Sequence, residues 1–214
     1  NTVLKMIEIS LREPGFIVTV TAYPGYLLMV SGADKELNEA DRKLNRAGVL
    51  RSVEQVGASA LSLSMLENKP VEVSGLEHYN HQFRHWTCSS APIHDAKGNV
   101  VGSLTVSGHL PNKQSHTLAL VTSAASSIST QLREKNLIKE QARLNSMLLS
   151  IYNSITDGVI AIKSDLSISH ANNTARQLIE IYDKPLQNFS LSDLLNEDDK
   201  KFIEDVLANG QPEN

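Results

Sequence analysis

The period of the hydrophobic pattern changes along the chain, and each change marks an element. Val3, Leu4, Ile7 and Leu11 fall at helical spacing, which Pro14-Gly15 ends. Phe16 to Ala22 is β-branched and aromatic, Tyr23-Pro24-Gly25 is a turn, and Tyr26 to Ser31 is a second apolar run, so the three predict a hairpin. The charged run from Asp34 to Leu44 reads as a solvated helix or loop. Gly57 to Leu66 is helical, opened by Gly57, with Leu61, Met65 and Leu66 on one stripe. Val71 and Val73 then alternate as a strand. Trp86 to Ile93, the turn from His94 to Asn99, and Val100 to Ser107 make the clearest hairpin in the chain.

From Thr117 to Ile155 the spacing becomes heptad-like. Leu118, Val121, Ala125, Ile128 and Leu132 form one block, and Leu137, Leu144, Leu148, Ile151 and Ile155 form a second, with a slip of register between Leu132 and Leu137. A helix this long extends about 60 Å at about 1.5 Å per residue, which suits a link between two modules. The alternative is a helix folded back on one core. Leu118, Val121, Ala125, Ile128, Leu132 and Leu144 are expected to form a stripe that a single chain exposes and a second copy covers. Beyond it, 158–163 and 167–170 read as short strands and 172–181 as a helix. Ser190 stands at the cap of a further helix over 190–195, and 198–207 continues helically.

Composition narrows the classes of function. The 214 residues are 41% hydrophobic and 21% charged, which fits ordinary globular domains. Twenty Lys and Arg stand against 24 Asp and Glu, so the net charge of -4 offers no general attraction to nucleic-acid backbones or anionic membranes. The single cysteine, Cys88, excludes an internal disulfide framework. No apolar run approaches the roughly 20 residues of a bilayer span, and no signal-peptide pattern opens the chain. A cytoplasmic location is expected, and a chain that starts at Asn1 is expected to be an excised fragment.

Motifs for catalysis are absent. There is no G-x-x-x-x-G-K-[ST] loop, no G-x-G-x-x-G after a strand, no G-x-S-x-G elbow and no H-E-x-x-H helix, so neither enzymatic activity nor a cofactor is expected. His78, His81, His85 and Cys88 form an H-x2-H-x3-H-x2-C array with ligands suited to zinc or iron. Strand alternation puts His85 and Cys88 on opposite faces, so no metal is expected, and a metal or redox sensor stays as an alternative reading. On the returning strand Ser103 and Thr105 share a hydroxylated face, Trp86 starts the neighbouring strand, and the polar loop from His78 to His85 is expected to close above them. His78, His85, Trp86, Ser103 and Thr105 are therefore the candidate ligand-binding set, with the hairpin register left open.

The helix at 57–66 and the run EHYNHQFRHWTCSSAPIHDAKGNVVGSLTVSG at 77–108 resemble the GAF sensory domain of sigma-54-dependent transcriptional activators of the acetoin-catabolism and dihydroxyacetone-operon group. Their H-W-x-C-[SA]-[AT]-P-[IL] strand resembles His85 to Ile93, which carries one more residue before Pro92. Residues 148–181, with Asp157-Gly158 before one strand and Asn172 after the next, resemble the opening of a PAS domain. The resemblance implies an α+β chain: a GAF-like antiparallel-sheet domain at 1–116, a signalling helix at 117–147 and a truncated PAS-like domain at 148–214. It also implies a homodimeric cytoplasmic sensor of a small molecule or of a metabolic-enzyme partner. DNA and the sigma-54 polymerase would be reached only through domains outside this fragment. A purely structural dimerisation module is the remaining alternative.

Overall fold

The computed structural model describes residues 16–32, 37–163, 165–179, 190 and 198–203. The helix expected over 3–12 lies outside them. The chain divides into two units, Asn1–Ile138 and Lys139–Asn214.

In the first unit, β1 (Phe16–Ala22), β2 (Tyr26–Gly32), β3 (Val71–Ser74), β4 (Trp86–His94) and β5 (Val100–His109) form one antiparallel sheet in the order β2-β1-β5-β4-β3. The period-two alternation of these strands gives the sheet two different faces. Phe16, Val18, Ala91, Ile93, Leu104 and Val106 occupy one face and pack with Val121, Ala124, Ala125 and Ile128 of the long helix. Burial of each larger aliphatic side chain there is worth about 1.5–3 kcal/mol. The backbone N–H of His94 donates to Ser129 Oγ at 2.9 Å, fixing the helix against the end of β4. At Gly102 a Cβ would lie 1.9 Å from the carbonyl oxygen of Thr21, so β1 and β5 approach closely only because that side chain is missing.

The other face is covered by α1 (Glu39–Leu44), the single turn α2 (Val53–Val56), α3 (Ala60–Leu66) and the loop between β3 and β4. Helix α3 starts at a capping box between Ser59 and Ser62 rather than at Gly57, because paired hydroxyls satisfy the first N–H groups. Leu61 and Met65 are buried as expected, whereas Leu66 is exposed. Gly57 has φ +73° and lies under Tyr79, whose Cδ1 would sit 2.3 Å from an added Cβ. The charged run at 34–44 also differs from its expected solvated character. Asp41 is buried there, because α1 turns that one acid toward the sheet.

The long helix, α4, runs Thr117–Ser154 over 38 residues. Val121, Ala125 and Ile128 were expected in an exposed dimer seam and are instead buried against the sheet of their own chain. The cause is the apolar sheet face, which takes up the first heptad block. Leu132 and Leu144, further along, remain exposed.

In the second unit β6 (Ile160–Ile162) and β7 (Ile168–Ala171) pair antiparallel and α5 (Asn173–Leu178) follows, with Ile168, Ala171 and Ala175 packed together. Asn172 is buried at its centre. Its Oδ1 accepts from the N–H groups of Ala175 at 2.8 Å and Val159 at 2.9 Å. Its Nδ2 donates to the carbonyls of Asp157 at 2.9 Å and Tyr152 at 3.2 Å. One side chain thereby caps α5 and closes the preceding loop. Ser190 forms a β-bridge with Ser167, and the rest of the helix expected over 190–195 lies outside the described residues.

Candidate functional site

The polar side chains that converge in the first unit come from four segments. Asn38 caps α1 by accepting the Asp41 N–H at 2.8 Å, which orients that turn. His85 Nε2 lies 3.1 Å from Asp41 Oδ2, and since a carboxylate only accepts, Nε2 carries the proton. The His85 side chain is 42% exposed, so this pair has one solvated and one buried end.

Arg51 follows a β-bridge between Tyr26 and Leu50, and its own N–H donates to Gly25 at 2.8 Å, so its backbone is held firmly. Its side chain is drawn inward and leaves the residue 7% exposed. Nη1 donates to Asn45 Oδ1 at 2.8 Å, and Cζ stands 4.6 Å from the centroid of the Phe83 ring. Burial lowers the affinity of this guanidinium for its proton, against the attraction of Asp41, yet arginine stays charged.

His78 is 1% exposed. Its Nδ1 lies 3.2 Å from the Gly75 carbonyl and so carries the proton, which leaves Nε2 as an acceptor. Burial holds its pKa below the ordinary histidine value. The ring meets Phe83 edge-on with 6.1 Å between centroids. Trp86 is 3% exposed, stacks on His109 at 4.4 Å and touches His85 at 5.2 Å. Arg51 Nε, His78 Nε2, Arg84 Nε and Trp86 Nε1 are buried without hydrogen-bond partners. An open cleft of about 1030 Å³, lined by Val56, Gly57, His78, Tyr79 and Arg84 among others, reaches His78 from outside.

Of the five expected ligand residues, His78, His85 and Trp86 gather here and Ser103 and Thr105 do not. Trp86 pairs with His109, while Ser103 pairs with Pro92 and Thr105 with Ser90. In an antiparallel hairpin the start of one strand meets the end of the other. Thr105 is thus four residues from Trp86 along the sheet and Ser103 six, about 14 and 20 Å at about 3.4 Å per residue. Thr105 Oγ1 is 2.8 Å from Ser90 Oγ, itself 2.8 Å from Ser64 Oγ, so this hydroxyl chain docks α3 on the sheet. Ser103 is fully buried, with Oγ unpartnered.

The His-Cys array also separates. Cys88 points into the cluster with Phe83 and Trp86, where burial raises its pKa and keeps the thiol protonated, although Ser107 and Arg51 oppose the shift. His78 and His85 are turned to Gly75 and Asp41. Among the described residues no three His, Cys, Asp or Glu side chains gather as metal ligands.

A GAF domain model matches residues 16–132. A signal-transduction and transcriptional-control protein of Clostridium beijerinckii is 29% identical over 201 residues, which covers 94% of this chain and 32% of that relative. The acetoin dehydrogenase operon transcriptional activator AcoR of Bacillus subtilis (strain 168) is 28% identical over 131 residues, 61% of this chain and 22% of AcoR. The chain thus spans about a third of the length of such curated relatives, or less. Among solved structures, the E. coli DhaR(N)-DhaL complex matches with a TM-score of 0.75 at 17% identity, over 96% of this chain and 71% of that one, a likeness of fold.

Proposed function

The chain belongs to the GAF domain family, and from that premise we propose that it is the sensory region of a transcriptional regulator. One observation carries this reading: helix α4 is both a wall of the GAF core, through Val121, Ala125 and Ile128, and the segment that leaves it. A ligand or partner that binds two states of the sheet unequally biases the packing of those residues, and α4 takes the difference onward.

The input in this proposal is a small metabolite or a metabolic-enzyme partner, and the DhaR(N)-DhaL complex is a precedent for a protein partner. The chain has no catalytic role and works in the cytoplasm as the control region of a sigma-54 activator. Its GAF part covers 1–116, its signalling helix 117–147 and its PAS-like part 148–214. Exposed Leu144, Leu148 and Ile151 supply an apolar stripe for a second copy of the helix, and Leu132 of the first heptad block is exposed as well. Among the described residues no helix is long and apolar enough to cross a membrane.

Native mass spectrometry with sedimentation tests the proposal. A dimer that retains a small molecule or captures an added enzyme subunit is expected, and Leu132→Glu with Leu144→Glu should yield monomers. A wild-type chain that is monomeric at high concentration, and that binds neither class of input, overturns it.

A further inference from the structure

The unpartnered atoms around Phe83 specify the chemistry of a ligand, an inference that rests on the sensory reading above. Arg51 lies over the face of Phe83, His78 meets its edge, and Trp86 packs with Phe83 and Cys88 in one cluster. Each carries one buried polar atom without a partner: an N–H donor on Arg51, an N–H donor on Trp86 and an acceptor nitrogen on His78. Among the described residues no carboxylate stands within ion-pair distance of Arg51. Asp41 acts on Arg51 only at longer range, with its Oδ2 engaged by His85, so the buried guanidinium lacks a contact ion pair that a bound anion would supply. Because Asn45 takes Nη1, the edge that remains for a ligand is the one that includes Nε.

We propose that Arg51, Trp86 and His78 bind a small 2-hydroxycarboxylate. The Arg51 and Trp86 N–H groups donate to the carboxylate oxygens, and His78 Nε2 accepts from the hydroxyl. Phosphate fits less well, because its oxygens are mostly acceptors where His78 Nε2 needs a donor. A neutral polyol leaves the guanidinium uncompensated. The side chains of Val56, Phe83 and Cys88 in the same cluster suit a short hydrocarbon tail. Of the three, His78 alone lines the open cleft, so entry is on its side.

Trp86 is the single tryptophan of the chain, so its emission reports on this site directly. The 214-residue chain is titrated with L-lactate and its homologues up to 2-hydroxyisovalerate, and with propionate, 1,2-propanediol and inorganic phosphate. Saturable quenching or shift by the hydroxy acids is expected, with propionate weaker by about tenfold and the diol and phosphate inert. Arg51→Lys, which keeps the charge and loses the planar fork, should weaken the hydroxy acid by at least about tenfold. His78→Phe should bring it to the level of propionate while propionate itself is unchanged. Thermal melting of each variant separates loss of binding from loss of fold. If no hydroxy acid binds, if the diol binds as tightly, or if Arg51→Lys has no effect in a folded variant, the inference is wrong. Should a neutral ligand bind instead, the sensory reading stands and only this assignment falls. Absence of every small-molecule and partner response removes both.

Discussion

The buried carboxylate of Asp41 receives a hydrogen bond from His85 at 3.1 Å and stands in the field of Arg51, which ties α1 to the site across 44 and 10 residues of chain respectively. Asp41→Asn keeps the shape and removes the charge. Urea unfolding should show a loss of about 1–3 kcal/mol. Combined with Arg51→Met, the loss should fall short of the sum by about 0.5 kcal/mol or more, since both changes remove the same longer-range attraction. Strict additivity would show that the two groups act independently.

Thr105 serves the docking of α3 and lies away from the ligand cluster. Thr105→Val, which leaves Ser90 one hydroxyl partner short, should lower stability by about 0.5–1.5 kcal/mol. It should leave ligand titrations of Trp86 emission unchanged. A weakened ligand response at full stability would return Thr105 to the binding set.

His78 makes stability depend on pH in a known direction. Its folded pKa is lowered by burial, so below the ordinary value of about 6.5 the unfolded chain binds a proton that the folded chain refuses. The contribution is fully present above that value and is lost as pH falls toward the folded value. Wild type should therefore lose melting temperature between about pH 7 and 5 faster than His78→Gln does. Parallel curves would show that the imidazole is not the cause.

Asn172 holds four backbone groups in the second unit. Asn172→Ala removes the α5 cap and orphans the Val159 N–H, for an expected cost of about 2–4 kcal/mol. Hydrogen exchange should accelerate over 159–175 and stay unchanged in β1, β4 and β5. Uniform acceleration across the chain would mean that the two units unfold as one.

Much of this architecture is legible in single residues. The β-branched run FIVTVTA marks β1, alternation in VVGSLTVS marks β5, and the turn read from His94 to Asn99 marks the hairpin. What the pattern could not supply was register and partner choice, because both depend on contacts far apart in the chain. Ser103 and Thr105 share a sheet face with Trp86, yet antiparallel pairing sets them at a distance. Val121, Ala125 and Ile128 have heptad spacing whether a second helix or a sheet covers them, so periodicity alone could not separate the two. Asp41 was hidden among solvated charges. Arg51 left one trace, as a lone cation between Leu50 and Val53, and Phe83 left none.

Gly102 offers a control for every experiment on this site. Any replacement brings a Cβ that would collide with the Thr21 carbonyl, so in a saturation library the position should be an empty column beside a permissive one at exposed Val101. Gly102→Ala damages the sheet while leaving Arg51, His78 and Trp86 chemically intact. It therefore shows what indirect loss of binding looks like, the benchmark against which a variant of Arg51 has to be told apart.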